Sequence, residues 1–172
     1  LKIAATVYLS LGANLGDRID NLERALARSA RFGKLTELSR VYETEPWDVP
    51  DEQPPYLNMT AVLLTDVEPR RLARELKQIE FEMGRAPNTT DLPRPIDIDI
   101  LLYDDIVLKS AELTIPHPEV AERAFVLAPL MDNAPDLIVP ELEKSVRQLC
   151  AAADHSGVKT YKRQIKLNPN WS

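Results

Sequence analysis

A chain of 172 residues, 44% hydrophobic and 28% charged, has room for one domain with a full core and too little for two. Its formal net charge of −6, with basic residues gathered only in the C-terminal tail, argues against nucleic acid as a partner, so an anionic ligand needs a local site where cations offset the field. No apolar run approaches the length of a membrane span, and the single cysteine, Cys150, permits no internal disulfide, so the expectation is a monomeric cytoplasmic domain over residues 1–172, with a core at 5–155 and a basic tail at 156–172.

In chain order, Val7, Leu9 and Leu11 alternate with Tyr8, Ser10 and Gly12, which predicts a first strand. The turn Gly12-Ala13-Asn14-Leu15-Gly16 leads into a helix with Asp17 as N-cap and Ile19, Leu22 and Leu26 as its apolar stripe. That turn has neither the Gly-Lys-Ser/Thr ending of a phosphate loop nor the three glycines of a dinucleotide fold. Residues 35–44 read as a second strand, and the proline-rich stretch 45–55 as a long functional loop. A third strand covers 56–65, with Leu57, Met59, Ala61 and Leu63 on one face and Tyr56, Asn58 and Thr60 on the other. Tyr56 and Asn58 together suit a planar heterocycle, although a solvated sheet face would carry the same residues.

Pro69 opens a second helix with Leu72, Leu76, Ile79 and Met83 buried, and Gly84 closes it. Beyond the polar loop 85–92 lies Pro93-Arg94-Pro95-Ile96-Asp97-Ile98-Asp99-Ile100, in which isoleucine and aspartate alternate with the period of a strand. Asp97 and Asp99 therefore share a face, with Cα atoms roughly 6.6 Å apart, while the isoleucines bury the other. Two like charges side by side disfavour each other's ionisation, and aspartate is poor in strands, so a shared Mg²⁺ is the natural reason for the pair, although a strand with one solvated face would carry it too. Arg85 and Arg94 flank it, which is what transfer of a phosphoryl group requires.

A turn at Asp104-Asp105, short strands at 106–108 and 113–115, one helical turn at 119–122 and helices at 126–131 and 145–153 complete the reading. The tail, with Lys159, Lys162, Arg163 and Lys166, reads as a lysine-protected edge strand or a loose terminus. The order β-α-β-β-α-β is that of an α+β, ferredoxin-like core with an antiparallel sheet, here followed by extra C-terminal helices and a hairpin.

Several segments resemble one family in order and spacing from residue 7 to residue 140: Leu9-Ser10-Leu11-Gly12-Ala13-Asn14, Tyr56-Leu57-Asn58, Gly84-Arg85, Arg94-Pro95-Ile96-Asp97-Ile98-Asp99, and Pro116-His117-Pro118 followed by Arg123-Ala124-Phe125. They are similar to 6-hydroxymethyl-7,8-dihydropterin pyrophosphokinases of folate biosynthesis. The resemblance implies transfer of pyrophosphate from ATP to the pterin's hydroxymethyl oxygen. By the same resemblance Asp97 and Asp99 would bind two Mg²⁺ ions, and Arg85 and Arg94 would neutralise phosphate charge. Tyr56 and Phe125 would sandwich the pterin, Asn58 would read its edge, and the chain at Thr44 to Trp47 would complete recognition. Ile100, Thr114, His117 and Arg123 would belong to the ATP side.

Two departures stand out against the family pattern: Asp91-Leu92 where a Trp-Gly is common, and Glu112 where some members carry arginine. The alternatives are another two-metal phosphotransferase or nucleotidyl transferase on the same fold, or a non-catalytic domain that binds a small ligand. No general base is evident in the motifs.

Overall fold

The computed structural model describes residues 4–46, 52–89 and 91–171. The first strand, β1 (Ala5–Ala13), runs into helix α1 (Arg18–Ser29), whose first turn is capped by the Asp17 carboxylate accepting the Asp20 N–H at 3.0 Å. Strands β2 (Lys34–Leu38), β3 (Tyr42–Thr44) and β4 (Tyr56–Thr65) follow, then α2 (Pro69–Glu82), opened by a proline whose missing N–H costs nothing there. Next come β5 (Asp97–Tyr103) and a small hairpin of β6 (Leu108–Lys109) and β7 (Thr114–Ile115). Helix α3 (Ala124–Asn133), a second hairpin of β8 (Ile138–Val139) and β9 (Lys144–Ser145), α4 (Val146–Ala152) and β10 (Val158–Thr160) follow, and a 3-10 turn at Pro169–Trp171 comes last.

The main sheet is antiparallel in the order β10-β3-β4-β1-β5, with β2 also paired to β4. Central β1 lies between β4, with Leu9 opposite Ala61 and Gly12 opposite Asn58, and β5, with Gly12 opposite Asp97 and Ser10 opposite Asp99. This is the ferredoxin-like arrangement, with one change from the expected strands. The single strand expected at 35–44 is two, β2 and β3, both laid along β4. Between them Ser39 stays tied to β4, its N–H donating to the Thr60 carbonyl and its Oγ accepting the Thr60 N–H, so the edge bends without detaching. The tail resolves in favour of the edge strand: β10 pairs with β3, Val158 opposite Thr44.

Period two divides the sheet into two faces. Val7, Leu9, Leu11, Leu57, Met59, Leu63, Ile96, Ile98 and Ile100 pack with the stripes of α1 and α2 in one buried cluster. A second cluster on the other face joins Leu101 and Leu102 to α3 and α4 through Val126, Leu127, Leu130, Val146 and Leu149. Two consecutive leucines reach one face because Leu101 is an extra residue in the ladder: Tyr8 pairs with Leu102 and Leu9 with Ile100. The layer of α3 stops short of Ser10, Gly12, Asn58, Asp97 and Asp99, and that part of the sheet opens into a cavity.

Candidate active site

Strand β5 lies at the edge of the sheet, where outward N–H and C=O groups need partners. Helix α2 supplies them. The buried Glu80 carboxylate accepts the Ile98 N–H at 2.7 Å, and the Lys77 ammonium donates to the Ile98 carbonyl at 3.3 Å. Farther along, the His117 N–H donates to the Leu101 carbonyl at 2.8 Å. The edge that carries Asp97 and Asp99 is thus closed by groups that also bring charge to it.

Both aspartate side chains are about a quarter to a third exposed, at 28% and 29%, on the face away from the isoleucines, as the alternation predicts. Their cations are unequally shared. Arg85 donates to the Asp97 Oδ1 at 2.5 Å and to Glu80 at 2.7 Å, and Arg94 approaches the other oxygen of Asp97 at 3.6 Å. Lys77 lies 3.2 Å from the Asp99 Oδ1, 3.7 Å from the Asp97 Oδ1 and 2.8 Å from Glu80. Burial pushes the Asp97 carboxyl up, but Lys77, Arg85 and Arg94 outweigh it and hold the group below its ordinary range. Glu80 goes the other way, because its burial is deeper than Lys77 can offset and Asp97 lies close by. Burial also raises Glu119, with Asp99 and Asp97 adding to it and His117 opposing.

Two cavities meet at this edge of the sheet. One, of about 680 Å³, is bounded by α2 residues Arg70, Arg74 and Lys77 and by the hairpin with Glu112 and Thr114. The other, of about 440 Å³, is bounded by Gly12, Thr44, Tyr56, Asn58 and Phe125, with Arg85, Arg94, Asp97 and Arg123. Three residues belong to both: Lys77, Asp99 and His117.

The residues picked from sequence divide between them. Ile100 and Thr114 line the larger cavity, and His117 lies at the seam. Thr44, Tyr56, Asn58, Phe125, Arg85, Arg94 and Asp97 line the smaller one, and so does Arg123, which sequence reading assigned to the ATP side. Trp47 lies outside the described residues. Asn58 donates to the Thr44 Oγ1 at 2.6 Å, leaving its carbonyl oxygen over Gly12. Arg94 rests against Tyr56, its guanidinium carbon 5.8 Å from the ring centre and its Nε donating to the hydroxyl at 3.2 Å.

Sequence reading missed Lys77, Glu80, Glu119, Asn14 and Gln53. The signal for Glu80 and Lys77 is their spacing: they stand one turn apart on α2, beside the apolar stripe of Leu76 and Ile79, where a helix meets its neighbour. The buried Asn14 accepts the Arg94 N–H at 2.8 Å and donates to the Gln53 Oε1 at 3.2 Å, and Gln53 in turn donates to the Asp91 carbonyl at 2.5 Å. These bonds tie the turn after β1, the end of the long loop and the approach to β5 into one unit.

The donor set has the chemistry of a site for a hard divalent cation. Among the described residues no group of three or more His, Cys, Asp or Glu side chains forms a cage by itself. A pair of carboxylates facing a cavity matches Mg²⁺, which binds one or two carboxylates and completes its shell with phosphate and water.

The chain matches the family model described as 7,8-dihydro-6-hydroxymethylpterin-pyrophosphokinase over residues 8–135. It is 38% identical over 144 residues to the 2-amino-4-hydroxy-6-hydroxymethyldihydropteridine pyrophosphokinase of Aquifex aeolicus, covering 84% of this chain and 89% of that one. The Haemophilus influenzae protein of the same name is 35% identical, with 95% of this chain and 99% of that one covered. The folic acid synthesis protein of Schizosaccharomyces pombe is 38% identical over 90% of this chain, which spans only 21% of that longer protein. Among solved structures, the fold resembles an HPPK-DHPS crystallised in complex with substrates, with a TM-score of 0.72 at 15% identity, over 88% of this chain and 43% of that one. The chain belongs to the 7,8-dihydro-6-hydroxymethylpterin pyrophosphokinase family.

Proposed function

We propose that this chain transfers the β,γ-pyrophosphoryl group of ATP to the hydroxymethyl oxygen of 6-hydroxymethyl-7,8-dihydropterin in folate synthesis. The observation that carries the reading is the seam: two cavities of different character meet on Asp99, Lys77 and His117, with Asp97, Arg85 and Arg94 beside it. A reaction between two bound molecules belongs where their sites touch, because holding both reactants in register removes much of the entropic part of the barrier.

In this reading the larger cavity holds ATP between α2 and the β6–β7 hairpin. The smaller holds the pterin, with Tyr56 and Phe125 as apolar cover and Asn58 presenting an amide to its edge. The hydroxymethyl oxygen attacks the β-phosphorus, the bond from that phosphorus to the oxygen bridging it to the α-phosphate breaks, AMP departs, and the hydroxyl proton is given up to solvent. Arg85 and Arg94 stabilise negative charge on the transferring group, and Asn14 keeps Arg94 in place. Asp97 and Asp99 would hold two Mg²⁺ ions, whose charge, when bound, offsets that of the triphosphate. Glu112 stands on the wall of the larger cavity, and Arg70, Arg74 and Lys77 of α2 bring positive charge to the nucleotide there. We further read the chain as a monomeric single domain of the cytoplasm; no helix of the described residues is long and apolar enough to cross a membrane.

The test is a product assay with ATP, Mg²⁺ and the reduced hydroxymethylpterin. AMP and pterin pyrophosphate in equal amounts support the proposal. Release of inorganic pyrophosphate would assign nucleotidyl transfer instead, and binding without turnover would leave a ligand-binding domain.

A further inference from the structure

Among the described residues, Lys77 is the one lysine or arginine that pairs with both aspartates, through the Oδ1 atom of each, and the one that lines both cavities. It ends a line of positive residues on α2, Arg70, Arg74 and Lys77, at the four- and three-residue steps that keep one helix face. Of the two aspartates, it is Asp97 with which Arg85 and Arg94 form ion pairs among the described residues. Among the described residues, Asp99 has Lys77 as its sole ion-pair partner. The lysine stem is flexible and its ammonium is a compact point charge, so it can exchange one oxygen partner for another at little conformational cost.

Building on the pyrophosphokinase reading, we propose that Lys77 is a resident counter-ion of the aspartate pair that gives way to metal and moves to a phosphate of the incoming nucleotide. Without ligand it keeps two neighbouring carboxylates from facing each other unscreened. A divalent cation coming alone must displace it, leaving the ammonium without its acceptors. A metal–nucleotide complex brings phosphate oxygens to the seam and gives the ammonium a new partner. The lysine therefore discourages metal binding in the absence of nucleotide and favours binding of the two together.

The variants Lys77→Met and Lys77→Gln separate this from an edge-capping role at the Ile98 carbonyl. Binding of Mn²⁺ alone, read by paramagnetic resonance, is expected to be about five-fold tighter in both variants. Calorimetric binding of a non-hydrolysable ATP analogue with Mg²⁺ is expected to be about five-fold weaker. Unchanged Mn²⁺ affinity or unchanged analogue affinity overturns the proposal, and a lowered melting temperature with neither affinity altered assigns Lys77 to the edge of the sheet alone. Wild-type protein that binds the analogue and yields AMP keeps the pyrophosphokinase reading whatever the variants do; wild-type protein that binds no analogue removes that reading first.

Discussion

Asn14 and Arg94 are joined twice over: the Arg94 N–H donates to the Asn14 Oδ1 at 2.8 Å, and the Asn14 N–H donates to the Arg94 carbonyl at 3.2 Å. The turn after the central strand therefore fixes the backbone from which Arg94 projects toward Asp97 and Tyr56. With the Asn14 amide also serving Gln53 and Pro54, one buried side chain sets three segments in register.

Asn14→Ala is expected to lower stability by about 2 kcal/mol, the cost of leaving buried backbone and amide groups unpaired. Because Arg94 loses the side-chain half of its double tie to residue 14, kcat is expected to fall about ten-fold with little change in nucleotide affinity. Urea denaturation and steady-state kinetics check the two effects; full activity would detach the Asn14 bonds from Arg94's role.

Glu80→Ala is expected to destabilise the protein by about 3 kcal/mol, since it removes one of the two carboxylates that Arg85 donates to and leaves the Ile98 N–H without its acceptor. Glu80→Gln retains an acceptor for Ile98 and is expected to lose less. Chemical denaturation of the pair measures the difference, and equal losses would place the whole effect in the charge.

At Gly12 an added Cβ would stand 2.8 Å from the Asn58 Oδ1, closer than side chains tolerate. Gly12→Ala is expected to push the Asn58 amide off its bond to Thr44 and weaken pterin binding about ten-fold. Affinity for an ATP analogue should stay the same. Calorimetry with each ligand separates the two, and an unchanged pterin Kd would remove Asn58 from recognition.

Acid stability has a defined sign. Burial pushes Asp132 up, but donation from Arg40 and Tyr42 holds its carboxyl below the ordinary range, and Asp97 is held low in the same direction. A depressed folded value means the stabilisation is present above the unfolded value, about 3.9, and lost as pH falls through the folded one. Thermal melts should show stability declining below about pH 4, with Asp132→Asn less stable at neutral pH and shallower in its acid decline. A parallel decline in the variant would show that Asp132 contributes nothing to the acid limb.

Asp97→Asn is expected to reduce turnover at least about a hundred-fold, because it removes a charged group from the proposed reacting centre. Circular dichroism and melting should show that the fold persists. Retained turnover would exclude the aspartate pair from catalysis.

Much of this architecture is legible in the residues taken singly. The alternation of Ile96, Asp97, Ile98, Asp99 and Ile100 fixes which face each occupies, because the pleat has a period of two wherever the ladder is unbroken. Asp17 and Pro69 announce their helices through local hydrogen bonding that needs no distant partner. The break between β2 and β3 was not legible, since it depends on Ser39 pairing with Thr60 twenty-one residues away. Nor was the burial of Glu80, since helical spacing places it beside the apolar stripe but does not say that the edge of β5 will cover it.

The sequence by itself determined the strand and helix phases and the pairing of two carboxylates on one face, because those follow from backbone geometry repeated every two or 3.6 residues. Only the tertiary structure decided which cations reach those carboxylates and where the two cavities meet. Lys77, Asp99 and His117 come from a helix, a strand and a turn far apart in the chain, and they share a seam because α2 must cover the open edge of β5.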